Sequence, residues 1–292
     1  MRRRALLFSV LAPAFGTAPA RAAAGLSVVA SFSILADMTR EVGGPGAAVR
    51  SLVPPDGDVH VYEPRPSDLL AIRGAALVVT NGLGLEGWLA RLLPASGTTA
   101  PVVVAAEAVT PRRMGEGVDP HAWQDPRNGI LYARAIADGF ARVMPAQADA
   151  IRAGAADYAR RIGEMDAWIT RQVAQVPPER RRILTSHDAF FYFGARYGIE
   201  FLSVQGIDTE SEPSAGAIAA LLRQIRAQGI RAVFVENMTS PRLAAMVARE
   251  SGAVLGPAVY SDALSPPGGQ ADTYLKMFRH NVTLFVAAMR GA

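Results

Sequence analysis

From Leu26 onward the chain alternates two patterns: short runs that are apolar at every position, and stretches in which apolar residues return every three or four positions. Residues 26–30, 49–53, 76–80 and 102–105 are of the first kind and rich in valine, which predicts strands buried on both faces. Segments 34–42, 67–72 and 86–93 lie between them and carry the helical pattern. Strand and helix in alternation predict a parallel sheet covered on both sides. The same grammar restarts after Pro177 and Pro178, with strands expected at 182–186, 201–204, 232–236 and 253–255. Between the two sets, Ile151, Ala155, Tyr158, Ile162, Met165 and Ile169 are spaced alternately by four and three, which places them on one face of a helix. Pro145 precedes this stripe and Pro177 ends it. A helix over 146–176 would span roughly 45 Å, enough to run along both lobes as a stiff connector. The expected fold class is therefore α/β, two parallel-sheet lobes joined by one long rigid helix. The first lobe is expected over 25–144, the helix over 145–177 and the second lobe over 178–292.

Ahead of this pattern, three arginines after Met1, an apolar run over 5–15 and small residues up to Ala24 read as a secretory signal over 1–24. Cleavage is expected near residues 22–24. The apolar run is well short of the ~20 residues a spanning helix needs, so the mature chain is expected to have no membrane span and to reside in the periplasm. Cysteine is absent from the 292 residues. That removes disulfides, thiolate ligands and a lipid-bearing N-terminal cysteine together, and leaves His, Asp and Glu to hold any metal. Half of the residues are hydrophobic, enough for one large domain or for two lobes that each bury a core. The 30 basic residues outnumber the 26 acidic ones only because of Arg2, Arg3, Arg4 and Arg21, all in the signal. The remainder is neutral, with no basic patch interleaved with aromatics, so nucleic acid is not an expected partner.

Four histidines occur, and three share a kind of position. His60 follows the second expected strand, in Asp58-Val59-His60-Val61-Tyr62-Glu63-Pro64. His121 lies beyond the fourth, in Asp119-Pro120-His121-Ala122-Trp123, and His187 follows the first strand of the second lobe. Asp262 follows the last, in Tyr260-Ser261-Asp262-Ala263-Leu264. Open parallel sheets bind ligands outside the carboxyl ends of their strands. With the lobes facing each other, two candidate ligands come from each side and the metal site lies between the lobes. Three imidazoles and a carboxylate suit zinc, and the second carboxylate oxygen could admit manganese. Because imidazoles must be neutral to bind, affinity is expected to fall as pH drops through about 6.5. A lone histidine is more often a surface or capping residue, which is the reading kept for His280. Asp262, which could equally cap a turn, is the weakest of the four.

Gly82-Leu83-Gly84-Leu85-Glu86-Gly87 has the form of a dinucleotide fingerprint, with Glu107 about twenty residues on. It follows the third strand rather than the opening one, and Pro94 is expected to cut the next helix short. These glycines are therefore read as turn residues. Trp88, Trp123 and Trp168 are read as packing, with Trp123 placed to wall the site. The acidic run through Glu210, Ser211 and Glu212 is read as a loop before a helix capped by Ser214.

Together, the motifs around His60, His121 and Asp262, with Asn81-Gly82-Leu83-Gly84-Leu85-Glu86, His187-Asp188-Ala189-Phe190-Phe191-Tyr192-Phe193 and Glu210-Ser211-Glu212-Pro213-Ser214, resemble the periplasmic metal-receptor family of zinc and manganese ABC importers. The likeness covers nearly all of 26–292. It implies a rigid helix joining two α/β lobes around one ion, with His60, His121, His187 and Asp262 as ligands. It also implies an importer permease with its ATPase as partners. Manganese receptors of this family often carry a carboxylate where His187 stands, which tilts the expectation toward zinc (Zn2+) with manganese (Mn2+) second. The His-rich loop of many zinc receptors is missing from 111–118. The expected function is capture and delivery without catalysis, by a monomer. The alternative is an exported zinc-dependent hydrolase, for which Glu63 is the nearest general base and no H-E-x-x-H motif is present.

Overall fold

In the computed structural model, which describes residues 25–115, 117–210 and 213–291, the first apolar run is β1 (Leu26–Ala30). The signal expected over 1–24 lies outside the described residues. α1 (Ser33–Gly43) follows, buried along most of its length, and β2 (Ala47–Ser51) pairs with β1 in parallel. α2 (Pro66–Arg73) begins on a proline, whose missing N–H and fixed φ suit a first turn. Next come β3 (Leu77–Thr80), α3 (Leu89–Ser96) and β4 (Val102–Val104), completing a parallel sheet in the order β2-β1-β3-β4. β2 begins two residues earlier than the apolar run suggested, since as an edge strand it needs only one covered face. α3 runs past Pro94 instead of stopping there. Only one helical N–H is lost so near the end, and Ser96 Oγ donates to the Leu93 carbonyl in the closing turn at 2.7 Å. A short antiparallel pair, β5 (Arg113–Met114) with β6 (Gly117–Val118), lies within 111–118, where the His-rich loop of many zinc receptors is missing.

α4 (Pro126–Val143) is capped by Asp125, whose side chain accepts from the Arg127 N–H at 2.8 Å. It packs against α5 (Ala148–Val173), the connecting helix. At 26 residues, α5 is about 39 Å long, shorter than expected because a 3-10 turn (Pro145–Gln147) precedes it. Every residue of the predicted stripe is buried, from Ile151 to Ile169, and Val173 extends it.

The second sheet is built from β7 (Arg182–Thr185), α6 (Phe191–Tyr197), β8 (Glu200–Ser203), α7 (Ala215–Gln228), β9 (Ala232–Val233), α8 (Pro241–Ser251) and β10 (Val254–Leu255). All its pairings are parallel, in the order β10-β9-β7-β8. β9 is shorter than the expected 232–236 because the chain beyond it changes neighbour, Glu236 forming a bridge with Val259. Ser214 caps α7, its Oγ accepting from Ala217 N–H at 3.2 Å. The final helix, α9 (Tyr274–Arg290), packs on α5 and reaches α1.

The lobes do not bury separate cores. One cluster runs from Val28 and Ile34 through Tyr158 and Ile162 to Phe193, Phe278 and Phe285. A smaller cluster, with Leu184, Ile225, Val233 and Val247, lies on the outer face of the second sheet. α5 packs on α1, α4 and α9, and α9 packs in turn on α1 and β7, so the two helices link the halves of the molecule. Burial on this scale, at about 25 cal/mol per Å² of apolar surface, makes the spine rigid.

Candidate metal centre

The four loops that follow the carboxyl ends of strands in both sheets converge in the cleft. His60, His121, His187 and Asp262 each offer one ligating atom, and these atoms lie within 4.8 Å of one another. His60 Nε2 is 3.2 Å from His121 Nε2 and 3.1 Å from Asp262 Oδ2. Asp262 Oδ2 is in turn 3.0 Å from His187 Nε2 and 3.7 Å from His121 Nε2. Ligands about 2.0–2.1 Å from a central ion at tetrahedral angles stand roughly 3.3 Å apart, so this spacing suits a transition-metal ion. Asp262 Oδ1 is buried without a hydrogen-bond partner, a costly state that a cation would relieve. His280 is elsewhere, its Nε2 2.9 Å from the Ala258 carbonyl.

Each loop is held by groups that carry no metal-binding role in the sequence reading. Asp119 Oδ1 accepts from the His121 backbone N–H at 2.9 Å and faces His121 Nδ1 at 2.7 Å. Glu236 does the same for His187: Oε1 accepts from the backbone N–H at 2.9 Å, and Oε2 pairs with Nδ1. A carboxylate on Nδ1 holds the proton there and turns the Nε2 lone pair toward the centre. Burial lowers the His121 pKa, but Asp262 and Asp119 outweigh it and hold the imidazole at about 9. Burial likewise opposes protonation of His187, and Glu236 and Asp262 together raise it well above the ordinary value. Burial would raise Asp262, yet His121 and His187 keep it well below the carboxylate range. Nothing but geometry distinguished Asp119 and Glu236. In the sequence, Asp119 stands out only as part of the motif around His121, and Glu236 only as the end of an expected strand.

Asp262 belongs to the second lobe by sequence, but its loop is fastened to the first. Trp123 Nε1 and Gln124 Nε2 both donate to the Ser261 carbonyl, at 2.9 and 2.8 Å, and Leu264 N–H donates to Ser33 Oγ at 2.9 Å. Trp123 also packs edge-on against His121, with ring centroids 5.4 Å apart, and is fully buried. It walls the site and positions a neighbour at once. Glu63, the nearest candidate base in the hydrolase reading, is exposed and outside the cluster.

The glycine loop supports the site from below. Glu86 Oε1 accepts from Ser31 Oγ and the Asn81 N–H, both at 2.6 Å, while Oε2 accepts from the Gly82 N–H at 3.3 Å. The backbone donors that a pyrophosphate would need are thus taken by the chain's own carboxylate, and α3 starts two residues beyond Gly87. Gly82 and Gly84 adopt φ of +86° and +83°, and a Cβ on Gly82 would strike Val104 Cγ1 at 2.5 Å. The loop's product is the orientation of Asn81. Its Nδ2 donates to the Pro120 carbonyl at 2.9 Å, next to His121.

The chain matches the family described as zinc-uptake complex component A, periplasmic, over residues 28–288. It belongs to that family. The family consists of substrate-binding receptors of ABC importers and not of enzymes, so the chain is a metal-binding receptor that works with a permease and an ATPase. Among curated relatives, it is 35% identical to the manganese-binding lipoprotein MntA of Halalkalibacterium halodurans, over 91% of this chain and 89% of that protein. Among solved structures, it is similar to the periplasmic zinc-binding protein TroA from Treponema pallidum, with a TM-score of 0.87, 26% identity, and 91% and 99% of the two chains covered. It is also similar to a manganese-bound periplasmic metal-binding protein from Candidatus Liberibacter asiaticus, with a TM-score of 0.82, 27% identity, and 90% and 98% covered. These neighbours share the two-lobed α/β architecture with its long helix.

Proposed function

We propose that the chain captures one divalent transition-metal ion on His60 Nε2, His121 Nε2, His187 Nε2 and the Asp262 carboxylate, and hands it to its importer. The observation that carries this reading is the convergence, within 4.8 Å, of four side chains from four separate loops. Zinc is the ion held most tightly. Three imidazoles and one carboxylate oxygen match its tetrahedral preference, and the Irving–Williams order ranks it above manganese. Manganese enters the same pocket by drawing in Asp262 Oδ1 as a further donor, a reading favoured by that atom's lack of a partner. The names of the relatives, which speak of manganese as well as zinc, favour a pocket able to take both. The receptor acts as a monomer in the periplasm after its signal is removed near residues 22–24. The test is competition of zinc against manganese for the purified protein, with elemental analysis of the protein as isolated. A preference for manganese would reverse the order of metals, and binding of neither would refute the site.

A further inference from the structure

Of the four converging side chains, His60 alone touches solvent: its side chain is 6% exposed, against 0% for the other three. An ion entering or leaving the cleft therefore passes beside His60. The loop that carries it is attached to its own lobe by the Trp88 indole, which donates to the Val59 carbonyl at 2.9 Å. It is attached to the opposite lobe through Asp58. One oxygen of Asp58, Oδ1, accepts from the His60 backbone N–H at 2.9 Å, and the other, Oδ2, accepts from Thr209 Oγ1 at 2.6 Å. Two further bonds cross at Asp56, whose N–H donates to the Leu264 carbonyl at 3.0 Å and whose Oδ1 accepts from Asn237 Nδ2 at 2.7 Å. Asp56 is the third residue of a turn closed by the Gly57 N–H on the Pro54 carbonyl at 3.1 Å, and its left-handed φ of 57° belongs to that turn.

From this arrangement we infer that Asp58 is a positioning residue, clipped by Thr209, and that the clip sets how fast metal leaves. With the clip closed, His60 cannot swing outward without breaking a charge-assisted bond across the lobes. With it open, the one solvent-reaching ligand is free to move first, which leaves the ion on three donors. Affinity for a given metal is therefore divided between the ligands themselves and a contact that touches no metal. The inference rests on His60 being a ligand.

Zinc-loaded protein mixed rapidly with excess chelator reports the release rate directly. Thr209→Val keeps the side-chain shape and removes the donor. It is expected to speed release on the order of tenfold, the range for loss of one hydrogen bond to a charged group. Thr209→Ser is expected to restore the wild-type rate. In a His60→Ala background, Thr209→Val should leave the release rate unchanged, because the clip acts through His60. Release at the wild-type rate in the valine variant overturns the inference, as does an equal effect in both backgrounds. Should the valine variant not fold, as judged by thermal unfolding of the metal-free protein, Thr209→Ala carries the same expectations. Wild-type affinity in His60→Ala alone is a different failure, since it removes the ligand assignment and not merely the clip.

Discussion

Glu236 offers the sharpest test of how the pocket works, because it is fully buried, touches no candidate ion and still governs a proposed ligand. The substitution Glu236→Gln preserves shape. A carboxylate there accepts from the His187 N–H at 2.9 Å and Ser261 Oγ at 2.6 Å and lies in ion-pair contact with Nδ1 of His187. Glutamine has one oxygen and one NH2 in those places. If its NH2 faces His187 Nδ1, the imidazole moves its proton to Nε2 and blocks its own lone pair. If the NH2 faces the backbone N–H instead, two donors are buried against each other. Either orientation loses a charge-assisted bond worth about 1.5–3 kcal/mol, which corresponds to roughly 10–150-fold in binding. Carboxylate partners of metal-bound histidines generally matter by about 10–100-fold, so both routes lead to the same magnitude. Zinc affinity measured by competition with a chromophoric chelator at pH 7.5 is therefore expected to fall within that range. Manganese affinity should fall in parallel. An affinity within about twofold of wild type would refute the claim that Glu236 sets the His187 tautomer, since half a kcal/mol is too small for any of these losses.

Replacing the proposed ligands themselves should do more: His60→Ala and His187→Ala, drawn from opposite lobes, are each expected to reduce zinc affinity severely in the same competition assay. Asp262→Ala should cost less if water takes the vacated position, while unchanged affinity in either histidine variant would refute the cross-lobe site. Metal binding should release protons, because burial opposes but the surrounding carboxylates support a protonated His121 up to about pH 9. Affinity is thus expected to keep rising from pH 6 toward 9, beyond the 6.5 of an unperturbed histidine, and calorimetry in buffers of different ionisation enthalpy counts the protons. Far from the site, burial raises Asp37 to about 6, despite the hydrogen bond it accepts from the Tyr274 N–H at 2.8 Å. Its folded pKa lies above the unfolded value, so the protonated form favours folding at low pH, and that advantage is lost as pH rises from about 4 through 6. Asp37→Asn should therefore stabilise the protein at pH 7.5, by at most about 3 kcal/mol, and change little near pH 4. Thermal or urea unfolding at the two pH values reads this, and a destabilised variant at pH 7.5 would contradict the burial argument.

Periodicity alone carried the two sheets, the connecting stripe and the three histidine loops, because each is a local pattern. Valine runs bury on both faces wherever they pair, and apolar residues at alternating fours and threes can occupy only one side of a helix. α4 went unpredicted although it is as regular as α5. Its apolar residues, Tyr132, Ile136 and Phe140, are interleaved with alanine and glycine, and its start signal, Asp125-Pro126, follows directly on the His121 motif. Element ends shifted wherever a distant partner intervened. β9 stops early because Val259 becomes Glu236's neighbour, and α3 starts late because Glu86 is committed to the turn before it.

Four loops at strand ends and the residue types able to hold a metal were thus legible in the chain as written. What only the tertiary structure decided is the company those residues keep. Asp119 and Glu236 behind the imidazoles, Trp123 and Gln124 gripping the Asp262 loop, and Thr209 on Asp58 are contacts between segments far apart in the chain. No local spacing encodes such pairings, since they exist only once the shared core around α5 and α9 has fixed both sheets face to face. Pattern along a chain reports which surface a residue buries, whereas the orientation of a lone pair depends on the atoms that meet it from elsewhere.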